Sequence, residues 1–359
     1  MNRFTILDFY RFVAAFGVVL FHINQFSPGN NTFLSITYDF DLFVDFFFVL
    51  SGFVIGFGYA HKVERAHEIG TFLRRRLARI YPLYLATTLC FVGLYVLGIS
   101  SHPERYTGTA ILSQLLMVQQ WQLNPPLPFN FPAWSISAEW AMYLLFPLLM
   151  FAKRRFGLAA LFLVFASSSI VIEVLTAKGI VHVPLWSALR AAPTFTLGVL
   201  ISRLNLDFRL KHGELLGLLA FTLAIVAMIA HMGTLPVISL FCTSILLTSL
   251  REKAEPRFNF PFLGLLGDCS YSVYLLHAIV FTVFYGGLWP HLHAGPVPLI
   301  VSIVVAIAVI PLAGFSFYVF ETPARRLISG AGITLRRKAA SRGHTSDDVA
   351  IESVAGLDR

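Results

Sequence analysis

His22 stands eleven residues after Arg11 in the run RFVAAFGVVLFH. A neutral imidazole is the side chain best suited to exchange a proton near neutral pH. At about 100° and 1.5 Å per residue, a helix places the two residues about 20° apart in rotation and about 16 Å apart along the axis. They therefore share one stripe. Asp8 precedes Arg11 by one turn and can pair with it; taken alone, the run also reads as a structural Asp–Arg pair with an interfacial histidine. Further polar groups stand in apolar surroundings. Asp45 and Ser51 lie in YDFDLFVDFFFVLSGFVIG, Glu139 and Tyr143 in FPAWSISAEWAMYLLFP, and Arg190 in LWSALRAAPTFTLG. Ion pairing explains any two of His22, Asp45, Glu139 and Arg190; four at one depth resemble a site. The segment RRRLARIYPLY places Arg76 and Arg79 three residues apart, a spacing that can clamp a phosphate or simply mark a cytoplasmic helix end. In GDCSYSVYLLH, Ser270, Tyr271, Tyr274 and His277 fall on one broad helical face, as site groups or as core and interfacial residues. Cys90, Cys242 and Cys269 show no metal-ligand spacing and read as small buried hydrophobes.

The elements that must carry these groups follow from composition. Of 359 residues, 57% are hydrophobic and 13% are charged, about half the charged share of an ordinary soluble domain. Mean hydropathy is +0.73. This excludes a soluble enzyme, a disordered chain and a secreted disulfide scaffold. Apolar runs begin near residue 5 and continue at about 39–60, 77–98, 134–152, 157–176, 186–204, 214–231, 235–250, 269–289 and 297–320. The expected fold is an all-α integral membrane bundle of about ten transmembrane helices. The stretch 107–121 is too short and polar to span and reads as a re-entrant or interfacial helix. The first run carries Asp8 and Arg11 and lacks a small-residue cleavage site, so it reads as a retained helix. With the N-terminus inside, 23 of the 27 Lys and Arg fall on the inner side and only Arg105 and Lys178 outside. That asymmetry is the positive-inside signal. It places both termini in the cytoplasm and explains the net charge of +8 without nucleic acid.

On these residues the chain resembles the membrane acyltransferase 3 family, bacterial O-acyltransferases of cell-surface and secreted sugars. The R-x10-H element appears as Arg11 to His22, FF-x-LSGF as FFFVLSGF, and R-x-x-R as Arg76 to Arg79. WSISAEWAMY, SYSVYLLH and the ETP at Glu321 to Pro323 match three further elements in order. The resemblance runs from about residue 4 to 326. It implies a membrane acyltransferase domain over 1–328, followed by a disordered cytoplasmic tail over 329–359, with no additional extracytoplasmic domain.

The resemblance also implies an acyl-CoA donor, typically acetyl-CoA, on the cytoplasmic side, and a hydroxyl acceptor on a glycan at or beyond the bacterial cytoplasmic membrane. Arg76 and Arg79, with Ser270 and Tyr271, would meet the donor. Asp45, Ser51, Arg190, Tyr143 and His277 would line the acceptor side. His22 would be the general base, or would carry the acyl group itself. Arg190, Ser51 or Arg11 would stabilise the oxyanion, and Glu139 would orient His22 or hold the acceptor. No metal and no tightly bound cofactor are expected. The main rival is a transporter or flippase of a polysaccharide precursor or small solute; it lacks a detectable inverted repeat. A non-catalytic partner in glycan assembly would carry its polarity on loops instead.

Overall fold

Long apolar runs with few charges leave the backbone no hydrogen-bond partner but itself in lipid, so helices are the only economical elements. The computed structural model describes residues 5–26, 31–63, 65–99, 102–121, 128–177, 187–204, 206, 209–250, 261–293 and 295–329. No β-strand occurs among them. The expected tail beyond Ser329 and the loop lysine Lys178 lie outside the described residues.

The helices are α1 (Thr5–Phe26), α2 (Asn31–Thr37), α3 (Phe43–Tyr59), α4 (Ala66–Val96), α5 (Gly108–Leu115), α6 (Trp134–Phe156) and α7 (Leu158–Ala177). They continue as α8 (Ser187–Arg203), α9 (Gly213–Ile229), α10 (Thr234–Ser249), α11 (Pro261–Phe281), α12 (Trp289–Leu292), α13 (Leu299–Ser316) and α14 (Thr322–Ser329). Each apolar run of the sequence coincides with one of these. Among the described residues, six segments are long and apolar enough to cross a membrane: Thr5–Asn24, Thr32–Tyr59, Ala66–Val96, Phe131–Phe156, Phe262–Leu292 and Leu299–Ser329. Leu158–Val174, Gly213–Ile229 and Thr234–Ser249 are shorter apolar helices.

Two boundaries differ from the hydropathy pattern. α4 begins at Ala66, eleven residues before its apolar run, so the four arginines lie within the helix. Hydropathy marks where lipid-compatible surface starts, whereas the helix starts at its cap. There the Arg65 backbone N–H donates to the Glu68 carboxylate at 2.9 Å. The stretch 107–121 contributes only α5, eight residues and about 12 Å long. Thr107 Oγ1 caps it by accepting from the Ala110 N–H at 3.2 Å.

Small residues set the helix spacing. Where α3 crosses α8, a Cβ on Gly52 would collide with the Phe195 carbonyl, one on Gly198 with the Val49 carbonyl, and one on Gly56 with Ser202. Backbone meets backbone from both sides, the close approach that glycine permits in membrane bundles. The partners rise together along both chains, so α3 and α8 are parallel. Gly267 of α11 likewise rests on the backbone of Asp8 in α1. His277 of the same helix meets His22 further along α1, so this pair is parallel too. Gly217 of α9 lies against Ser244 and Thr248 of α10. That pair is antiparallel, joined by a turn in which His231 has φ 53° and Gly233 φ 84°.

Gly52→Ala and Gly198→Ala are expected to cost about 1–3 kcal/mol each through overpacking. Thermal unfolding in detergent should therefore fall for both. Gly93→Ala serves as the control, because a Cβ there meets nothing within 4 Å. Equal melting temperatures for all three would show that the α3–α8 approach is not tight.

Candidate active site

α1 carries the two ends of the site. Near its start, Arg11 lies 3.6 Å from Asp8. Near its end, His22 is buried, and its Nδ1 lies 2.9 Å from the Val18 carbonyl one turn back. A carbonyl can only accept, so the hydrogen of that bond sits on Nδ1, and Nε2 is left with its lone pair. His277 Nε2 is 3.3 Å from the same Nδ1. The two rings are tilted by 39° with centroids 4.9 Å apart. Phe131 sits beside both, at 5.0 Å from His22 and 5.9 Å from His277, and Phe281 meets the His277 edge at 5.7 Å. Phe131 opens a short 3-10 turn, Phe131–Ala133. The residue before it, Asn130, donates to Thr87 and Thr88 of α4, each at 3.2 Å. The pair is thus enclosed by aromatic faces whose supporting turn is pinned to another helix.

A second group joins α3, α8 and the 3-10 turn Tyr38–Leu42 that precedes α3. Arg190 donates from Nη2 to Asp45 Oδ2 at 2.5 Å and to Asp41 Oδ2 at 3.2 Å, with its Nε 3.4 Å from Asp45 Oδ1. The guanidinium also lies 5.5 Å from the centre of the Trp134 ring. Of the ion pairs that the four groups could make, Asp45 with Arg190 is the one formed here. Asp41 was not singled out from the sequence; in YDFDLFVD, spacing alone does not say which aspartate reaches the arginine.

A third group joins α3 and α6. Ser51 Oγ and Tyr143 OH both donate to Glu139 Oε1, at 2.7 Å and 2.5 Å, and are 3.3 Å from each other. Glu139 is within electrostatic reach of Arg11 and Arg76. The four groups expected at one depth thus divide among three clusters. Glu139 turns to Ser51 and Tyr143, while His22 is oriented by Val18 and His277.

The arginines of α4 form the other end. Arg76 donates from Nη2 to the Tyr59 hydroxyl at 2.9 Å and lies 4.8 Å from that ring's centre. Its buried Nε has no hydrogen-bond partner. Arg79 interacts electrostatically with Arg11, with Glu321 and with Arg325 of α14, which packs against α4. Several guanidinium groups with one buried donor unused suit a polyanionic ligand. Glu321 is buried and accepts from Ser272 Oγ at 2.8 Å. Tyr59 and Arg325 were missed because each is an ordinary helix-end residue in the sequence. Ser270 donates to the Gly267 carbonyl at 2.7 Å, and Tyr271 to the Ile80 carbonyl of α4 at 2.5 Å. Tyr274 bonds Ser135 at 2.7 Å and the Pro132 carbonyl at 2.9 Å. α11 is in this way tied to α4 and α6. Among the described residues no cluster of His, Cys, Asp and Glu could hold a metal ion.

Residues 4–315 match the acyltransferase-3 family, described as an acyltransferase domain. The chain belongs to the membrane acyltransferase 3 family. It is 29% identical over 363 residues to the acyltransferase MdmB of Streptomyces mycarofaciens, covering 89% of this chain and 90% of that protein. A protein of Staphylococcus aureus strain COL named as an O-acetyltransferase is 24% identical over 358 residues, and the match spans 89% of this chain and 57% of that protein. Protein 2 in the picA locus of Rhizobium radiobacter is 36% identical over 154 residues, 38% of this chain and 78% of that protein. No solved structure matches. With its six long apolar helices, this acyltransferase-3 chain is a multi-pass membrane protein.

Removing one partner of a desolvated ion pair costs about 3–5 kcal/mol, because the other charge stays buried. Asp45 has a side-chain exposure of 4% and Asp41 of 37%. Asp45→Asn should therefore lower thermal stability in detergent sharply and Asp41→Asn only slightly. The reverse order would show that Asp41 is the principal counter-ion.

Proposed function

We propose that this protein is a membrane O-acyltransferase that moves an acyl group, most simply acetyl, from cytoplasmic acyl-CoA to a hydroxyl of a sugar in a cell-surface or secreted glycan. The observation that carries the reading is the pairing of ends on α1. A buried imidazole with its Nε2 lone pair unclaimed by the Val18 bond lies about three turns from a group of arginines. The name of the Staphylococcus aureus relative supports an acetyl donor group, and that of MdmB supports acyl transfer.

In this reading the chain crosses the bacterial cytoplasmic membrane ten times with both termini inside. The parallel α1–α11 and α3–α8 pairs and the antiparallel α9–α10 pair agree with that alternation. Arg76 and Arg79, joined by Arg325, hold the phosphates of acyl-CoA at the inner mouth, beside Ser270 and Tyr271. The pantetheine arm extends along α1 past Arg11 toward His22. The acceptor hydroxyl gives its proton to His22 Nε2 and its oxygen attacks the thioester carbonyl. The tetrahedral oxyanion needs a donor beside His22: Arg11 stands about 16 Å away along α1 and the Ser51 hydrogen is given to Glu139, which leaves Arg190 of the three candidates. Arg190, already engaged by two aspartates, organises the acceptor side with Asp45, and Glu139 with Tyr143 supports Ser51. The carbon–sulfur bond then breaks, and the thiolate takes the proton from His22. No metal or resident cofactor enters any step.

Two substitutions test this. His22→Ala should abolish acyl transfer from labelled acetyl-CoA at unchanged protein level. Glycans from cells carrying that variant should lose the ester by mass spectrometry; full acylation would end the reading. Arg76→Ala with Arg79→Ala should raise the KM for acyl-CoA by at least about tenfold, the loss expected of one charge-assisted contact. A change in membrane insertion alone would make those arginines topology signals.

A further inference from the structure

His277 is the buried group nearest to His22 that the steps above leave without a task. It is fully buried, and its Nε2 points at His22 Nδ1 from 3.3 Å. Two imidazole nitrogens at that distance can bond only if one carries the hydrogen and the other does not. The Val18 carbonyl assigns the hydrogen to His22 Nδ1. His277 Nε2 must then be the acceptor, and the proton of His277 sits on its Nδ1. The His22 Nδ1–H is thus shared between a carbonyl and a neutral imidazole lone pair.

Histidine bases in many enzymes are backed by a carboxylate at this position, which fixes the tautomer and stabilises the imidazolium. Here the rings packed on the His22–His277 pair are those of Phe131, Phe281, Phe21 and Tyr274, and the Tyr274 hydroxyl is committed to Ser135 and Pro132. The two carboxylates that the sequence groups with His22 are bound elsewhere, Glu139 by Ser51 and Tyr143 and Asp45 by Arg190.

We infer that His277 is the positioning partner of His22, accepting the Nδ1 hydrogen so that Nε2 stays free, and sharing that hydrogen when His22 becomes charged. The inference rests on His22 being the base. When the acceptor O–H gives its proton to His22 Nε2, the Nδ1–H becomes more acidic and its bond to His277 Nε2 tightens. The positive charge is then spread over two rings without a second charged group being buried. When the thiolate removes the Nε2 proton, the bond relaxes and both rings are neutral again. No net proton crosses from His22 to His277 in a cycle. The aromatic enclosure keeps the pair from water, which would otherwise compete for the Nδ1 hydrogen. A substrate-binding role for His277, the expectation from sequence, would instead require its Nε2 to face the acceptor.

Purified full-length protein in detergent or nanodiscs, with acetyl-CoA as donor, decides this through three variants. His277→Phe keeps a ring of similar size but cannot accept. His277→Gln places an amide oxygen where Nε2 was. His277→Phe should lower kcat by about 10²-fold with the KM for acetyl-CoA unchanged, and His277→Gln should recover at least about tenfold of that. Nitrogen-15 NMR of histidine-labelled protein supplies a readout that packing alone would not move. The His22 signals, assigned by their loss in His22→Ala, should report a protonated Nδ1 and an unprotonated Nε2. In His277→Phe they should shift toward mixed tautomers.

A His277→Phe enzyme within about twofold of the parent kcat, well below the loss expected of an acid–base partner, would overturn the inference. So would a raised KM at unchanged kcat, which would make His277 a ligand contact. If His277→Phe does not accumulate, the spectrum of the unmodified protein decides: a hydrogen on His277 Nε2, or an unprotonated His22 Nδ1, sinks the proposal. An active His22→Ala enzyme would bring down the base assignment itself, whereas an inactive one beside an active His277→Phe would remove only the partnership.

Discussion

Lipid offers no hydrogen bond to a side chain, so a polar group within the bundle is held at low cost only by a partner on another helix or on its own backbone. That constraint organises this molecule. Asp45 needs Arg190, Glu139 needs Ser51 and Tyr143, Tyr271 needs the Ile80 carbonyl, and His22 needs Val18 and His277. Each contact joins two distant segments or fixes a ring, so the chemistry-bearing residues also fasten the helices that carry them. Glycines make the contacts reachable. Without Gly52 and Gly198 the α3–α8 approach would widen and Asp45 would no longer meet Arg190. Without Gly267 against Asp8, α11 would stand away from α1 and carry His277 with it.

Polar groups are sorted along the bundle. One end gathers Arg11, Arg76, Arg79 and Arg325 with Glu321. The other gathers the two histidines and the Asp41–Arg190–Asp45 bridge. Between them lies the Ser51–Glu139–Tyr143 group, reached electrostatically by Arg11 and Arg76. A polyanionic thioester donor suits the first end and a neutral, hydroxyl-rich acceptor the second. The α9–α10 turn has its own fastening: His231, in a left-handed backbone conformation, contacts Asp39 at 2.9 Å and Ser35 at 3.4 Å beside an open surface depression. His231 and Ser35 are exposed and Asp39 is half-buried, and contacts of that kind contribute little to stability. They tie the segment leading into α3 to the α9–α10 turn.

Much of this was legible in the sequence. The Arg11–His22 stripe follows from helix geometry alone, and the structure sets those residues at opposite ends of α1. Hydropathy located every long helix, because lipid imposes one pattern on each. Partnership was less legible. Asp41 and Asp45 look alike in the sequence, and helical backbone running from the 3-10 turn into α3 sets these residues, four apart, on one face toward Arg190. Glu139 appeared to share the depth of His22, yet its rotation about α6 turns it to Ser51. The helical start of α4 was hidden because arginines interrupt hydropathy without interrupting a helix. Arg325 and Tyr59 gain meaning only from the helix each one meets.

Sidedness tests transfer through the bundle most directly. In proteoliposomes of known orientation, labelled acetyl-CoA would be supplied at the face bearing Arg76 and Arg79 and a glycan acceptor at the opposite face. Passage of the acyl group along α1 predicts labelled acceptor in that arrangement and none when the two compartments are exchanged. Labelling that requires donor and acceptor on the same side would contradict it.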